Sequence, residues 1–293
     1  MIRSRSTSFW KTLLYTGFAL TAFAANSVLG RIALGKHSVD ASSFTIIRLL
    51  SGYAVLLLIL KLSKTDDPYC KQTSRMAPLM LFLYAVTFSY AYIILDTGTG
   101  ALILFGSVQL AIVFISLFAG ERLHPLEWLG LLFSLAGFIT LVLPGVTAPS
   151  LKGFVLMTTA GIAWGVYTLI GRKSKNPLLD TALNFSRTFP FVLALALFAL
   201  VRQEIYLSQK GLLLAFASGG ITSGIGYAVW YKALSGLSAA QAGVVQLTVP
   251  VIAAFGGVVF VSEVISIRLL VSTTMILGGI MVVFWGRHRF ALS

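Results

Sequence analysis

Two arginines (Arg48, Arg187), two glutamines (Gln109, Gln246) and one asparagine (Asn26) stand inside otherwise apolar stretches of this 293-residue sequence, and Glu121 and Glu263 stand at the ends of such stretches. Hydrocarbon offers a polar side chain no hydrogen-bond partner, so residues of these types inside an apolar helix face a protein interior or a wet cavity. The amides can ligate a polar solute along a central pathway, or they can join helices to one another; both readings stand. Arg48 and Arg187 each cost roughly 2.5–3.5 kcal/mol on insertion scales unless paired or hydrated. One reading pairs Arg48 with Glu263 and Arg187 with Glu121 as alternating gate contacts. The other has the arginines reach the headgroups while the glutamates sit at helix ends. Tyr84, Tyr90, Trp164, Tyr167, Tyr227 and Trp230 add aromatic walls with polar handles that can stack a flat or hydrophobic solute. Tyr92 and Tyr231 are expected in the interfacial aromatic belt instead.

Other chemistry has no footing. No Gly-x-x-x-x-Gly-Lys-Ser/Thr phosphate loop and no Gly-x-Ser-x-Gly elbow occurs. His37, His124 and His288 show no metal-ligand spacing, and the single cysteine, Cys70, allows neither an internal disulfide nor a thiolate cage. Asp96-Thr97-Gly98 imitates an aspartic-protease triplet, but it occurs once and turn chemistry accounts for it. No metal or cofactor is expected.

The elements that must position these residues follow from composition. The chain is 57% hydrophobic and 11% charged, against roughly a quarter charged in soluble domains. So few charges cannot coat a water-facing surface, and a bilayer is the expected surrounding. About 20 apolar residues cross its core, and ten such runs are predicted: Trp10–Leu29, Phe44–Leu62, Met76–Leu95, Ala101–Phe118, Leu126–Leu143, Leu151–Gly171, Ala182–Val201, Gly211–Tyr231, Ala239–Phe260 and Ile267–Trp285. The first run follows Arg3, Arg5 and Lys11 like a cleavable leader, yet its removal would break the repeat described next, so it is expected to be the first span. With the N-terminus inside, fourteen Lys and Arg fall in inner segments and six in outer ones. That bias places both termini in the cytoplasm. It also accounts for the net charge of +13 without nucleic acid.

The sequence also repeats. A shift of 137 lays Tyr90-Ala91 on Tyr227-Ala228 and Gln109-Leu110 on Gln246-Leu247; a shift of 138 lays Ala25-Asn26 on Ala163-Trp164; a shift of 142 lays Glu121 on Glu263 and Gly137 on Gly279. Two copies are expected, residues 1–145 and 146–293, each with five spans. An odd number of spans makes the second copy enter from the opposite face, an inverted repeat of the kind that places a solute site near the midplane between halves. Gly161–Gly165 and Gly220–Gly224 have the spacing of close helix packing.

Gly226-Tyr227-Ala228-Val229-Trp230-Tyr231-Lys232-Ala233-Leu234, then Val245-Gln246-Leu247-Thr248-Val249-Pro250, then Ser262-Glu263, preceded by Ala163-Trp164-Gly165-Val166-Tyr167-Thr168 and matched in the first half by Gly120-Glu121-Arg122-Leu123, resemble the EamA family of the drug/metabolite transporter superfamily along nearly the whole chain. The resemblance implies an all-α integral membrane protein of ten transmembrane helices in two inverted five-helix repeats. It also implies transport of small organic solutes, often export of amino acids or related metabolites. The chain departs from an even duplication where Val113 matches Pro250, so the first-half helix is expected to lack a kink there. Asn26 matches Trp164, so the two cavity walls should differ.

The expected protein is therefore a secondary transporter or facilitator, not an enzyme, working by alternating access in a bacterial inner (plasma) membrane. Its partners are a small-molecule metabolite and the lipid bilayer. A membrane enzyme acting on a lipid-linked substrate and a channel-like pore are the alternatives.

Overall fold

The structure, a computed structural model, describes residues 9–63, 74–118, 124–143, 148–171, 174, 176–203, 205–234, 236–237 and 245–290. Glu121 and Cys70 lie outside them. Five helices come first: α1 (Phe9–Gly35), α2 (Ala41–Leu62), α3 (Met76–Tyr92), α4 (Thr97–Phe118) and α5 (Pro125–Val142). After these come α6 (Leu151–Gly171), α7 (Pro177–Ser186), α8 (Phe189–Arg202) and α9 (Gln209–Ala217). A π-helical segment, π1 (Ser218–Ile225), joins α9 to α10 (Gly226–Leu234), and a second, π2 (Gly257–Val261), extends α11 (Val249–Gly256) before α12 (Ile267–Phe290). Among the described residues, seven helical stretches are long and apolar enough to cross a membrane, and Met76–Tyr92, Val249–Val261 and Ile267–Val283 are shorter apolar ones.

Local chemistry sets the ends. Asp40 caps α2 by accepting from Ser43 N, and Asn176 and Ser208 cap α7 and α9 in the same way. At α5, His124 and Glu127 form a reciprocal capping box ahead of Pro125. The exterior is apolar, with Leu14, Phe198, Phe255 and Trp285 among many exposed large hydrophobic side chains. Patches of that extent are unfavourable in water and suit a lipid surround.

Two predicted spans take a different form. Ala182–Val201 was expected to be continuous, but the chain breaks between α7 and α8, where Pro190 lies in the first turn of α8. A proline ring supplies no amide hydrogen and is best accommodated at a helix start. Arg187 caps α7 at this break and is exposed, whereas Arg48 is 1% exposed. The two arginines are not structural equivalents. In the ninth span the chain is helical at Val245 and Gln246, turns at Leu247 and Thr248 and resumes as α11, whose first turn holds Pro250, for the same reason. The expected beginning of that span, around Ala239, lies outside the described residues.

α5 and α12 pack along their whole length. A Cβ built on Gly130 would lie 2.5 Å from the carbonyl oxygen of Gly279, and one on Gly279 would lie 2.5 Å from the carbonyl oxygen of Gly130. Ser134 Oγ donates to the Ile276 carbonyl at 3.1 Å across the same seam. Backbones this close admit only glycine. Gly279→Val is expected to cost about 1–3 kcal/mol by overpacking, read as a lower melting temperature of the purified protein in detergent; an unchanged value would contradict the seam. Gly161 likewise sits on α4, where a Cβ would meet the Leu104 carbonyl at 2.6 Å, as the Gly161–Gly165 spacing predicts.

Candidate functional site

α1, α2, α3, α6, π1 and α10 converge on one buried polar cluster. Arg48 of α2 is its centre. Its Nε donates to Ser223 Oγ at 3.1 Å, and its Nη2 donates to the hydroxyls of Tyr84 at 2.9 Å and Tyr227 at 3.3 Å. The guanidinium also lies over the rings of Tyr84 and Phe88, 4.9 and 4.6 Å from their centroids, a cation–π arrangement strengthened by burial. Asn26 of α1 is the second node. Its Nδ2 donates to the Tyr84 hydroxyl at 3.3 Å, and its Oδ1 accepts from Ser218 Oγ at 2.6 Å and Thr222 Oγ1 at 3.0 Å. Tyr84 Oη thus accepts from both nodes.

Glycines let π1 come this near. A Cβ on Gly219 would fall among Ser51 Oγ and the backbone of Arg48, with Arg48 Cα 2.7 Å away. The wider π turn brings Ser218 and Thr222 to Asn26 and Ser223 to Arg48; such turns recur at functional sites.

Against the polar nodes stands an aromatic wall. Trp164 lies 4.9 Å from Tyr84, 4.7 Å from Tyr227, 5.5 Å from Tyr167 and 6.0 Å from Phe23, ring to ring, and Phe23 meets Trp230 edge-on at 5.7 Å. Phe23, Asn26, Ser27, Tyr84, Phe105, Trp164 and Tyr227 line a cavity of about 10 Å³, the room of about one water. A cavity this small admits no organic solute. Tyr84→Phe removes the shared acceptor and leaves two buried donors short of a partner, which should cost about 1–3 kcal/mol. Thermal unfolding of the purified protein checks this, and a melting temperature equal to the parent's would contradict the network.

Of the residues predicted for the site, Asn26, Arg48, Tyr84, Trp164, Tyr167, Tyr227 and Trp230 come together here. Tyr90 does not: its hydroxyl lies 2.9 Å from Ser42 Oγ at the start of α2, because the last turn of α3 carries it past the centre. Gln109 and Gln246 are buried, at 0% and 2% exposure, but neither lines the central cavity. Tyr92 and Tyr231 are packed inside rather than in an interfacial belt; Tyr92 fills the space beside Gly100 and Tyr231 that beside Gly171.

The expected Arg48–Glu263 contact is replaced by another. Glu263 accepts from Arg31 Nε at 3.1 Å, from Thr97 N at 2.9 and 3.0 Å, and from Thr97 Oγ1 at 3.1 Å. Arg31 also pairs with Asp96 at 3.0 Å and donates to the carbonyls of Tyr92 and Ile93. The reason is positional. Glu263 follows the left-handed Ser262 (φ 62°) at the end of π2, where the first amides of α4 attract a carboxylate, while Arg48 is held in the interior by hydroxyls. Beside this contact lies a cavity of about 240 Å³ lined by Asp96, Gly98, Thr99, Ala254, Glu263 and Leu269. The second expected pair, Arg187–Glu121, involves a residue outside the described ones.

Sequence reasoning missed Ser218, Thr222 and Ser223, although three hydroxyls among Gly219, Gly220 and Gly224 in an apolar run were a visible signal. Arg31 is one of the six outer cations counted for topology, and Asp96 belongs to the triplet that turn chemistry accounts for. Nothing in either residue's neighbourhood announced that Arg31 would meet Asp96, 65 positions away, and Glu263, 232 positions away.

An apolar exterior around a closed, hydrogen-bonded polar centre suits an integral membrane protein, and comparison identifies its kind. The chain belongs to the EamA-like transporter family, which it matches over residues 10–143 and again over 151–285. It is 47% identical over 270 residues to the uncharacterized protein PA1977 of Pseudomonas aeruginosa, covering 92% of this chain and 93% of that one. It is 20% identical over 258 residues to the uncharacterized transporter YoaV of Bacillus subtilis, covering 84% and 88%. A protein known from a crystal structure shares the fold at 18% identity with a TM-score of 0.66, covering 94% of this chain and 98% of that one.

Proposed function

We propose that this chain is a secondary transporter or facilitator that moves a small organic solute across the membrane by alternating access, with export of an amino acid or related amphipathic compound as its task. In this reading residues 1–145 and 146–293 are inverted five-helix repeats forming ten crossings, and both termini face the cytoplasm of a bacterial inner membrane. The observation that carries the proposal is the membership of the central cluster. Asn26, Arg48 and Tyr84 come from the first matched segment, and Trp164, Ser223 and Tyr227 come from the second. A site shared by two halves opens whichever way the halves tilt, which is the requirement of a rocking carrier. The Arg31–Glu263 contact also joins the two segments, and it acts as the latch of one closed end.

Counterflow in proteoliposomes loaded with amino acids, nucleosides or sugars tests the proposal. Saturable uptake of a labelled solute driven by the unlabelled solute inside is expected. Flux that rises linearly with concentration indicates a pore, and chemical turnover in detergent without a gradient indicates an enzyme; either outcome overturns the proposal.

A further inference from the structure

Arg48 is a full positive charge at the centre of the bundle, and among the described residues every partner it has is neutral. Three hydroxyls and two aromatic faces surround it, its Nη1 is buried and makes no hydrogen bond, and the side chain is 1% exposed. Hydroxyls and ring faces ease the desolvation of a guanidinium without cancelling its charge.

The described acidic residues are all committed elsewhere. Asp40 caps α2 and accepts from Tyr206 N. Asp96 and Glu263 hold Arg31. Glu127 accepts from His124 N at the head of α5, and Asp180 is held by Ser174. A buried arginine normally has a carboxylate or phosphate partner, because its fork of donors matches two oxygens at once.

We infer that the partner is the cargo: the transported solute carries a carboxylate that takes the open donor of Arg48 when the halves part, while Trp164, Tyr84 and Tyr227 receive its flat apolar body. The inference rests on the transport reading and deepens it by naming a required group. A guanidinium with only neutral neighbours favours an anion and disfavours a cation at the same place. The aromatic wall around Trp164 supplies stacking faces at ring distances of 4.7–6.0 Å, so an aromatic carboxylate fits both halves of the chemistry. The ammonium group of an amino acid is tolerated but not required, since no described carboxylate faces the centre to receive it.

Three probes separate these groups: phenylalanine, 3-phenylpropanoate, which lacks the ammonium, and 2-phenylethylamine, which lacks the carboxylate. Binding to the purified full chain in nanodiscs, measured by calorimetry, is expected to favour both carboxylates over the amine by about tenfold or more, the usual worth of a hydrogen bond to a charged group. In Arg48→Gln that preference collapses to near unity, and Arg48→Lys recovers part of it. Equal or tighter binding of the amine by the unaltered protein overturns the inference, and this comparison needs no variant to fold. A preference that persists in Arg48→Gln also overturns it. Binding of none of the three overturns it as well, while leaving the transport reading to stand or fall on counterflow of another solute.

Discussion

Replacing Gly219 by valine is expected to reduce transport by roughly 10- to 100-fold. A side chain there has nowhere to go: its first carbon would meet Ser51 Oγ and the backbone of Arg48, and Arg48 Cα lies 2.7 Å away. The neighbours on one side are backbone atoms of α2, which cannot rotate aside as a flexible side-chain tip can. Overpacking of this kind costs about 1–3 kcal/mol, and each 1.4 kcal/mol is worth a factor of ten. The strain falls on the arrangement in which π1 lies against α2, so it separates Ser223 and Tyr227 from Arg48. Gly17→Val is the matching control, because a Cβ on Gly17 has no atom within 4 Å; transport by that variant should stay within about twofold of the parent. Counterflow rates normalised to reconstituted protein decide the matter, and equal losses in the two variants would remove any special role for the α2–π1 contact.

The second large effect is expected at Glu263. Its carboxylate accepts from Arg31 and from the first amide of α4, with side chains 13% and 19% exposed across the ion pair. Glu263→Gln keeps the shape and removes the charge. Between the small worth of exposed pairs and the large penalty for breaking buried ones, about 1–3 kcal/mol is the expected loss from the closed end. A cysteine placed at Thr99, in the wall of the adjoining 240 Å³ cavity, should then react with a water-soluble thiol reagent about tenfold faster, in a background with Cys70 replaced. Asp96 is 62% exposed, so Asp96→Asn should change the rate by less than about twofold. Slower or unchanged labelling in Glu263→Gln would show that the contact is no latch.

Much of this arrangement was legible in the residues. Spans of uniform apolar character bounded by charge or proline fell close to the observed helices; Leu151–Gly171 has the predicted limits. Trp164, Tyr84, Tyr227, Asn26 and Arg48 could be picked out because polar or amphipathic side chains have few reasons to sit in an apolar run. Their partners could not be picked out. Hydropathy fixes where a helix begins and ends but says little about which face meets which neighbour, and pairing depends on that rotation. Arg48 and Glu263 were matched by charge and depth, whereas α4 presents its free amides to Glu263 and Arg31 reaches the same spot from α1. A shift of 137 lays Tyr90 on Tyr227, yet Tyr90 stands in the last turn of α3, whereas Tyr227 lies well inside the continuous helical stretch Gln209–Leu234. The π segments were equally hidden, since one inserted residue per turn leaves composition unchanged.

The most direct trial of alternating access is vectorial labelling of a cysteine at Ser218, which is buried and donates to Asn26. With Cys70 replaced, an impermeant thiol reagent is applied to right-side-out and to inverted vesicles, with and without Glu263→Gln. Reaction from each face, with the Glu263 change raising the rate from one face and lowering it from the other, is the predicted result. Reaction from a single face only, or a rise from both faces together, would contradict it.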